Sequence, residues 1–205
     1  TYDMVKGLHR EKVSGHYAPS WRMPFSKSST GVLTIANKPL PEDGAFPIHA
    51  PRREFYVASP KVSLSTETPL KDGRTLQVIN CHGLNFVPIS VLPMQLDEIF
   101  GSLRDDDSPA IVCGDFNAWS RDRLKLLEQH ARQAGLSEAV VRGEEHSAAP
   151  KWIRGLRHIS PFDPDIRLDR IYTRGIRVLD CHHKGGTSSS DHAPLVLRYE
   201  VLPAE

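Results

Sequence analysis

Ala110-Ile111-Val112-Cys113 is an apolar run that stops at Gly114 and presents Asp115 and Asn117 immediately afterwards. A run this short, bounded by a turn residue, reads as a strand covered on both faces, and such a strand needs a layer above and a layer below it. Side chains at the mouth of a buried strand stand on a rigid base. On continued extended backbone Asp115 and Asn117 would point the same way. Taken alone, the pair reads as an Asp/Asn turn closing a strand. A carboxylate beside an amide also suits a hard cation or a phosphoryl group, and the rest of the chain decides between the two readings.

The flanking segments supply the layers. Residues 31–36 form a strand rich in β-branched positions, preceded by residues 1–30, which have no sustained period and read as a surface segment around Pro19 and Pro24. A polar, proline-rich connection runs to about Pro51, and residues 52–57 begin charged and turn apolar. Residues 62–66 and 75–80 alternate as strands and are joined through Asp72-Gly73, which predicts an antiparallel hairpin that runs into His82. Leu92, Leu96, Ile99 and Leu103 mark one face of a helix, with Ser90 as its N-cap and Pro93 in its first turn. Asp105, Asp106 and Asp107 read as a solvated turn, because the glycine and glutamate of a calcium loop are missing. A second helix is capped by Ser120, buries Leu124, Leu127, Ala131 and Ala134, and ends at Gly135.

Residues 143–165 are polar, and Lys151, Trp152, Arg154, Arg157 and His158 make them the one long loop where basic and aromatic side chains interleave, a candidate substrate-facing loop. Strands follow at 166–172, 176–179 and 195–199, with a flexible approach to Asp191-His192 over residues 185–190. Two antiparallel groups of strands, each interrupted by one good helix, predict an α+β fold: a layered sandwich of two sheets flanked by helices, forming a single domain over 1–205. His82, Asp115, Asn117, Asp169, Asp191 and His192 all lie at or just beyond strand ends, where a sandwich could gather them on one edge.

Composition bounds the function. A net charge of +1 gives no overall basic field for nucleic acid or a membrane surface. Three cysteines, Cys81, Cys113 and Cys181, lie in or beside apolar runs without a C-x-x-C pair, which argues against a disulfide framework and a structural zinc site. Cys181-His182-His183 is no metal cluster, since neighbours on a strand face opposite ways. No run of 18 apolar residues and no leader pattern is present. The expectation is a cytoplasmic monomer with no obligate protein partner.

Four motifs in order, Asn80-Cys81-His82, Gly114-Asp115-Phe116-Asn117, Leu168-Asp169-Arg170-Ile171 and Ser190-Asp191-His192-Ala193-Pro194, resemble the endonuclease/exonuclease/phosphatase, DNase I-like superfamily. Arg53-Glu54, His82-Gly83-Leu84-Asn85-Phe86 and the stretch from Gly114 to Ser120 are most similar to its bacterial YafD-like branch. The resemblance implies a four-layered α/β sandwich and Mg²⁺- or Mn²⁺-dependent hydrolysis of a phosphoester. It makes Asp115 the carboxylate that orients or activates water, and Asn117 a phosphate and transition-state ligand. Asp191, with Asp115, is directed to the metal and His192 to the scissile phosphate, with Asp169 pairing His192. His82 becomes a general acid or phosphate ligand, and Arg53 a contact to substrate phosphate.

The family also carries, upstream of the strand at 31–36, an early Asn and a Gln-Glu whose glutamate is the principal metal ligand. Neither is found here, so the chain is expected to begin just past them and, as it stands, to bind metal weakly. The other reading is a non-catalytic binding module on the same fold. The substrate class stays open between nucleic acid, phospholipid head groups and small phosphoesters.

Overall fold

The computed structural model describes residues 13–22, 29–54, 59–106, 108–142, 167–184, 190 and 192–204. Asp191 and residues 143–165 lie outside them, as do 185–189 and 55–57.

The first described element corrects an expectation: the segment read as surface contains strand β1, Ser14–Arg22, which pairs antiparallel with β2, Ser29–Ala36. Tyr17, Ala18 and Trp21 supply the β character that Pro19 obscures. Pro19 is tolerated where the register shifts between Pro19 and Trp21. The proline-rich connection likewise holds β3, Ala45–Arg53, and the position of this strand explains its prolines. It is the outermost strand of a six-stranded sheet, where Pro47 and Pro51 can lack an N–H without breaking a central ladder.

β4, Pro60–Pro69, and β5, Thr75–His82, form the expected hairpin, with Gly73 at φ +88° in its turn. The chain then passes through a 3-10 turn, Ile89–Val91, into helix α1, Leu92–Gly101. Ser90 sits inside that turn and does not cap the helix, whose N-cap position is Val91. Strand β6, Ala110–Asp115, returns beside β5 and runs parallel to it. This differs from two wholly antiparallel groups, and the reason is α1, which carries the chain back to the end of the sheet where β5 starts before β6 begins.

Helix α2, Arg121–Gln133, is capped by Ser120, whose hydroxyl accepts from the Arg123 backbone N–H. Gly135, at φ +72°, closes it in the left-handed region. Its buried face is Arg123, Leu127 and Ala131, with Leu124 and Ala134 only half-buried. Two residues of β7, Ser137–Glu138, β8, Asp169–Arg174, and the hairpin of β9, Ile176–His183, with β10, Leu195–Val201, complete the chain. The large sheet has the order β3-β4-β5-β6-β8-β7.

Alternation along the strands places the two cores. Ile79, Cys81, Ala110, Val112 and Tyr172 pack with Leu92, Leu96, Ile99 and Leu127 of the helices. On the opposite face Leu76, Ile111 and Ile171 pack with Cys181, Leu195 and Leu197 of β9 and β10. Val62 and Leu64 pack with Ala18 and Val32 of the first hairpin. The sheet is therefore covered by helices on one side and by two β-hairpins on the other, the α+β sandwich that the buried run at 110–113 requires.

Candidate active site

The carboxyl ends of the parallel pair β5 and β6 stop side by side, and β8 begins beside them. Register then does the assembly: His82 is the partner of Asp115, and Asp115 is the partner of Asp169, one row across three strands. The row continues the side-chain alternation of the hairpin-covered face, because Asn80, two residues before His82, donates from Nδ2 to the Leu33 carbonyl of β2 at 3.1 Å. His192 arrives from the far side, where the backbone N–H of Lys184 donates to the Pro194 carbonyl and closes the end of the β9-β10 hairpin. Its Nδ1 lies 2.5 Å from Oδ2 of Asp169. Four residues named from sequence thus meet at one edge of the sheet.

The backbone that carries the row is close-packed. Gly83 N–H donates to the Asp115 carbonyl at 2.7 Å, and a Cβ on Gly83 would stand 2.4 Å from the Phe116 carbonyl oxygen. Gly114, at φ +135°, lies so near β5 that a Cβ would stand 2.2 Å from the Cys81 carbonyl oxygen. Both glycines permit a backbone approach that no other residue allows.

Asn117 does not continue the strand. It sits at φ +50°, a left-handed conformation that asparagine tolerates, and its N–H donates to Oδ1 of Asp115 at 2.8 Å. The turn reading is therefore borne out: an Asx turn fixes the Asp115 carboxylate at the end of β6. The Asn117 side chain is buried and donates from Nδ2 to the Gly83 carbonyl at 2.9 Å, bridging the two loops that follow β5 and β6. Burial pushes the Asp115 carboxyl above its ordinary range, and the neighbouring Asp169 adds to this, against the lowering bond from Asn117.

His82 is governed by a lysine that the motifs did not single out. Nζ of Lys61, at the start of β4, lies 3.1 Å from Nε2 of His82 and 3.5 Å from Oε1 of Glu54. Burial, then the Lys61 and His192 charges, hold the His82 imidazole down to about 4. Glu54 is only 4% exposed and accepts the Asn85 N–H at 2.8 Å, whereas the adjacent Arg53 is exposed at the end of the edge strand. The sequence signal for Glu54 was present, a carboxylate where a charged start turns apolar. Lys61 had none beyond a cation leading an apolar strand.

A second group missed from sequence lies underneath. Arg123 is 1% exposed and donates from Nε to the Asn117 carbonyl at 2.9 Å, from Nη1 to Val87 at 3.4 Å, and from Nη2 to the Leu84 carbonyl. Burial lowers its guanidinium to about 10, with Asp115 and Glu54 opposing. Gln95 of α1 accepts the Leu84 N–H at 2.7 Å and donates to the His82 carbonyl at 3.2 Å. Helical spacing would place both among surface polar residues, and only their loop carbonyl and amide partners explain their burial.

Two clefts flank the row. Gly114, Asp169, Ser190, His192, Pro194 and Leu195 line one, and Trp21, Thr30, Glu54, Ser59, Lys61 and His82 line the other.

The sequence profile described as Endonuclease/Exonuclease/phosphatase family matches residues 8–192. The chain belongs to this family. A UPF0294 protein of Yersinia pseudotuberculosis is 33% identical over 204 residues, covering 98% of this chain and 69% of that protein. The crystal structure of an endonuclease/exonuclease/phosphatase from Beutenbergia cavernae superposes with a TM-score of 0.70 at 15% identity, over 98% of this chain and 57% of that one. A beta toxin variant of Staphylococcus aureus, solved with bound magnesium ions, gives 0.53 at 12% identity, over 87% and 68%. At these identities the two structures show the family's fold and nothing finer.

Proposed function

We propose that the chain is the catalytic portion of a phosphoester hydrolase dependent on Mg²⁺ or Mn²⁺. The observation that carries the reading is the row His82, Asp115, Asp169 with His192 seated on Asp169, a set of acids and imidazoles at one sheet edge with clefts on both sides.

A phosphoester is negatively charged and repels an incoming hydroxide, so hydrolysis needs a base for water, positive donors at the phosphoryl oxygens and an acid for the leaving oxygen. Asp115 is a half-buried carboxylate made more basic by its surroundings, which suits it to orient water and accept its proton. Asp169 fixes the ring of His192, so that Nδ1 faces the carboxylate and the imidazole presents a set orientation to the phosphate. Asn117 holds the mouth of the site together through Gly83, and the Gly-Asp-Phe-Asn motif supports it as the residue beside the phosphate.

The chemistry of the donors fits a hard divalent cation. Asp115 and Asp169 are adjacent carboxylates whose mutual repulsion a cation would relieve, and oxygen donors favour Mg²⁺ or Mn²⁺. Asp115 would hold it together with Asp191, which is outside the described residues. Among the described residues no group of three or more His, Cys, Asp or Glu gathers at one point, so these donors form a partial shell. Such a cation would neutralise phosphoryl charge and lower the pKa of water.

The test is hydrolysis of bis(p-nitrophenyl) phosphate, DNA and phospholipid by the full-length protein with Mg²⁺ or Mn²⁺. Turnover above an Asp115→Ala, His192→Ala double variant supports the reading. Turnover no greater than that control for every substrate overturns it in favour of a binding module.

A further inference from the structure

We propose that Lys61 is the cation that meets the substrate phosphate on the β4 side of the site, and that His82 is a neutral acceptor positioning it, not a proton donor. The inference rests on the phosphoester hydrolase reading.

The geometry is specific about which atom gives and which receives. An ammonium has only N–H donors and no acceptor. At 3.1 Å from Lys61 Nζ, the His82 Nε2 must therefore offer its lone pair, which puts the ring hydrogen on Nδ1. A histidine in that state cannot donate from Nε2 to a leaving oxygen, nor can it bring positive charge to a phosphate.

The positive charge is on Lys61. Its ammonium is held by a hydrogen bond to His82 Nε2 at 3.1 Å and by an ion pair with Glu54 Oε1 at 3.5 Å. Glu54 is fixed in turn by the Asn85 N–H and is 4% exposed, so the carboxylate is locked in place. Lys61 itself is 15% exposed and lines the cleft beside His82 with Trp21, Thr30 and Ser59. A partly exposed ammonium, aimed by a buried carboxylate and a half-buried imidazole of the Asp115 row, is built for an anion. The hydroxyls of Thr30 and Ser59 and the half-open indole of Trp21 make the same cleft the place for the polar portion of the substrate attached to that phosphate.

The test pairs kinetics with a readout independent of turnover. Lys61→Gln, Lys61→Met, Lys61→Arg, His82→Gln and His82→Ala are compared for kcat/KM on bis(p-nitrophenyl) phosphate, for Kd of inorganic phosphate and, at pH 7, for the ¹⁵N shifts of the His82 ring. Removing one aimed cation is expected to cost roughly 10²-fold in kcat/KM and about tenfold in phosphate affinity, with Lys61→Arg recovering part of both. His82→Gln, which keeps an acceptor near Nε2, is expected to stay within about tenfold of wild type while His82→Ala falls as far as Lys61→Met. The ring shifts should report hydrogen on Nδ1, and Nε2 should move when Lys61 is replaced.

Lys61→Gln and Lys61→Met both close to wild type, or His82→Gln as inactive as His82→Ala, overturns the inference with the hydrolase reading intact. If wild type hydrolyses nothing, the hydrolase reading has failed. The inference then stands or falls on whether the Lys61 variants lose phosphate affinity and shift the Nε2 resonance.

Discussion

Nε of Arg123, buried on the inner face of α2, donates to the backbone carbonyl of Asn117 at 2.9 Å, and the same guanidinium reaches Leu84 and Val87 in the loop after β5. One side chain therefore clamps the two loops that follow His82 and Asp115. Arg123→Met would leave the buried carbonyls of Asn117 and Leu84, and the half-buried one of Val87, without this donor. It is expected to lower stability by about 3 kcal/mol or more, read from urea denaturation. Lys at this position keeps a charge but not the fork, and Arg123→Lys is expected to recover only part of the loss.

Asp115→Asn separates chemistry from packing. An asparagine can still accept the Asn117 N–H through its carbonyl oxygen, and it removes a carboxylate that burial and Asp169 both disfavour. Activity is expected to fall by roughly 10²- to 10³-fold, while the unfolding midpoint stays level or rises. A variant that lost stability in proportion to activity would show Asp115 to be a structural residue.

Much of this architecture was readable in advance, and the parts that were not share a cause. The hairpin of β4 and β5, both helices and the buried strand β6 announce themselves by period, and the motif residues fall where those strands end. β1 and β3 were hidden because prolines break the pattern, although a register shift and an edge position accommodate them. The parallel pairing of β5 with β6 is a tertiary choice that no local period encodes. Lys61, Gln95 and Arg123 look like ordinary surface residues until their partners, which lie 6 to 39 positions away, are brought to them.

Gly114→Ala tests how tightly the row is laid. The substitution combines a φ of +135° with a methyl group directed at the Cys81 carbonyl, so β5 and β6 would have to part. A loss of about 2 to 4 kcal/mol is expected, with activity lost even at temperatures where the protein remains folded. Circular dichroism melts alongside turnover at low temperature measure both.

His82 makes stability depend on pH in a defined direction. Its folded value of about 4 lies below the ordinary 6.5, so between those values the unfolded chain binds more protons than the folded one. Stability is expected to be full above pH 6.5 and to decline as the pH falls toward 4. Urea midpoints measured across that window in metal-free buffer should flatten in His82→Gln, and an unchanged slope would assign the decline to other groups.

The row His82, Asp115, Asp169 is stitched by one parallel and one antiparallel ladder between strands distant in the chain, with α1 inside the first connection. No local hairpin can form any part of it alone, because closing it requires the long crossover to be in place. During refolding, the recovery of catalytic competence should therefore coincide with the slowest global phase. The site is in effect a clock for completion of the sheet, and on the proposed function a chain caught before that step would hydrolyse no phosphoester.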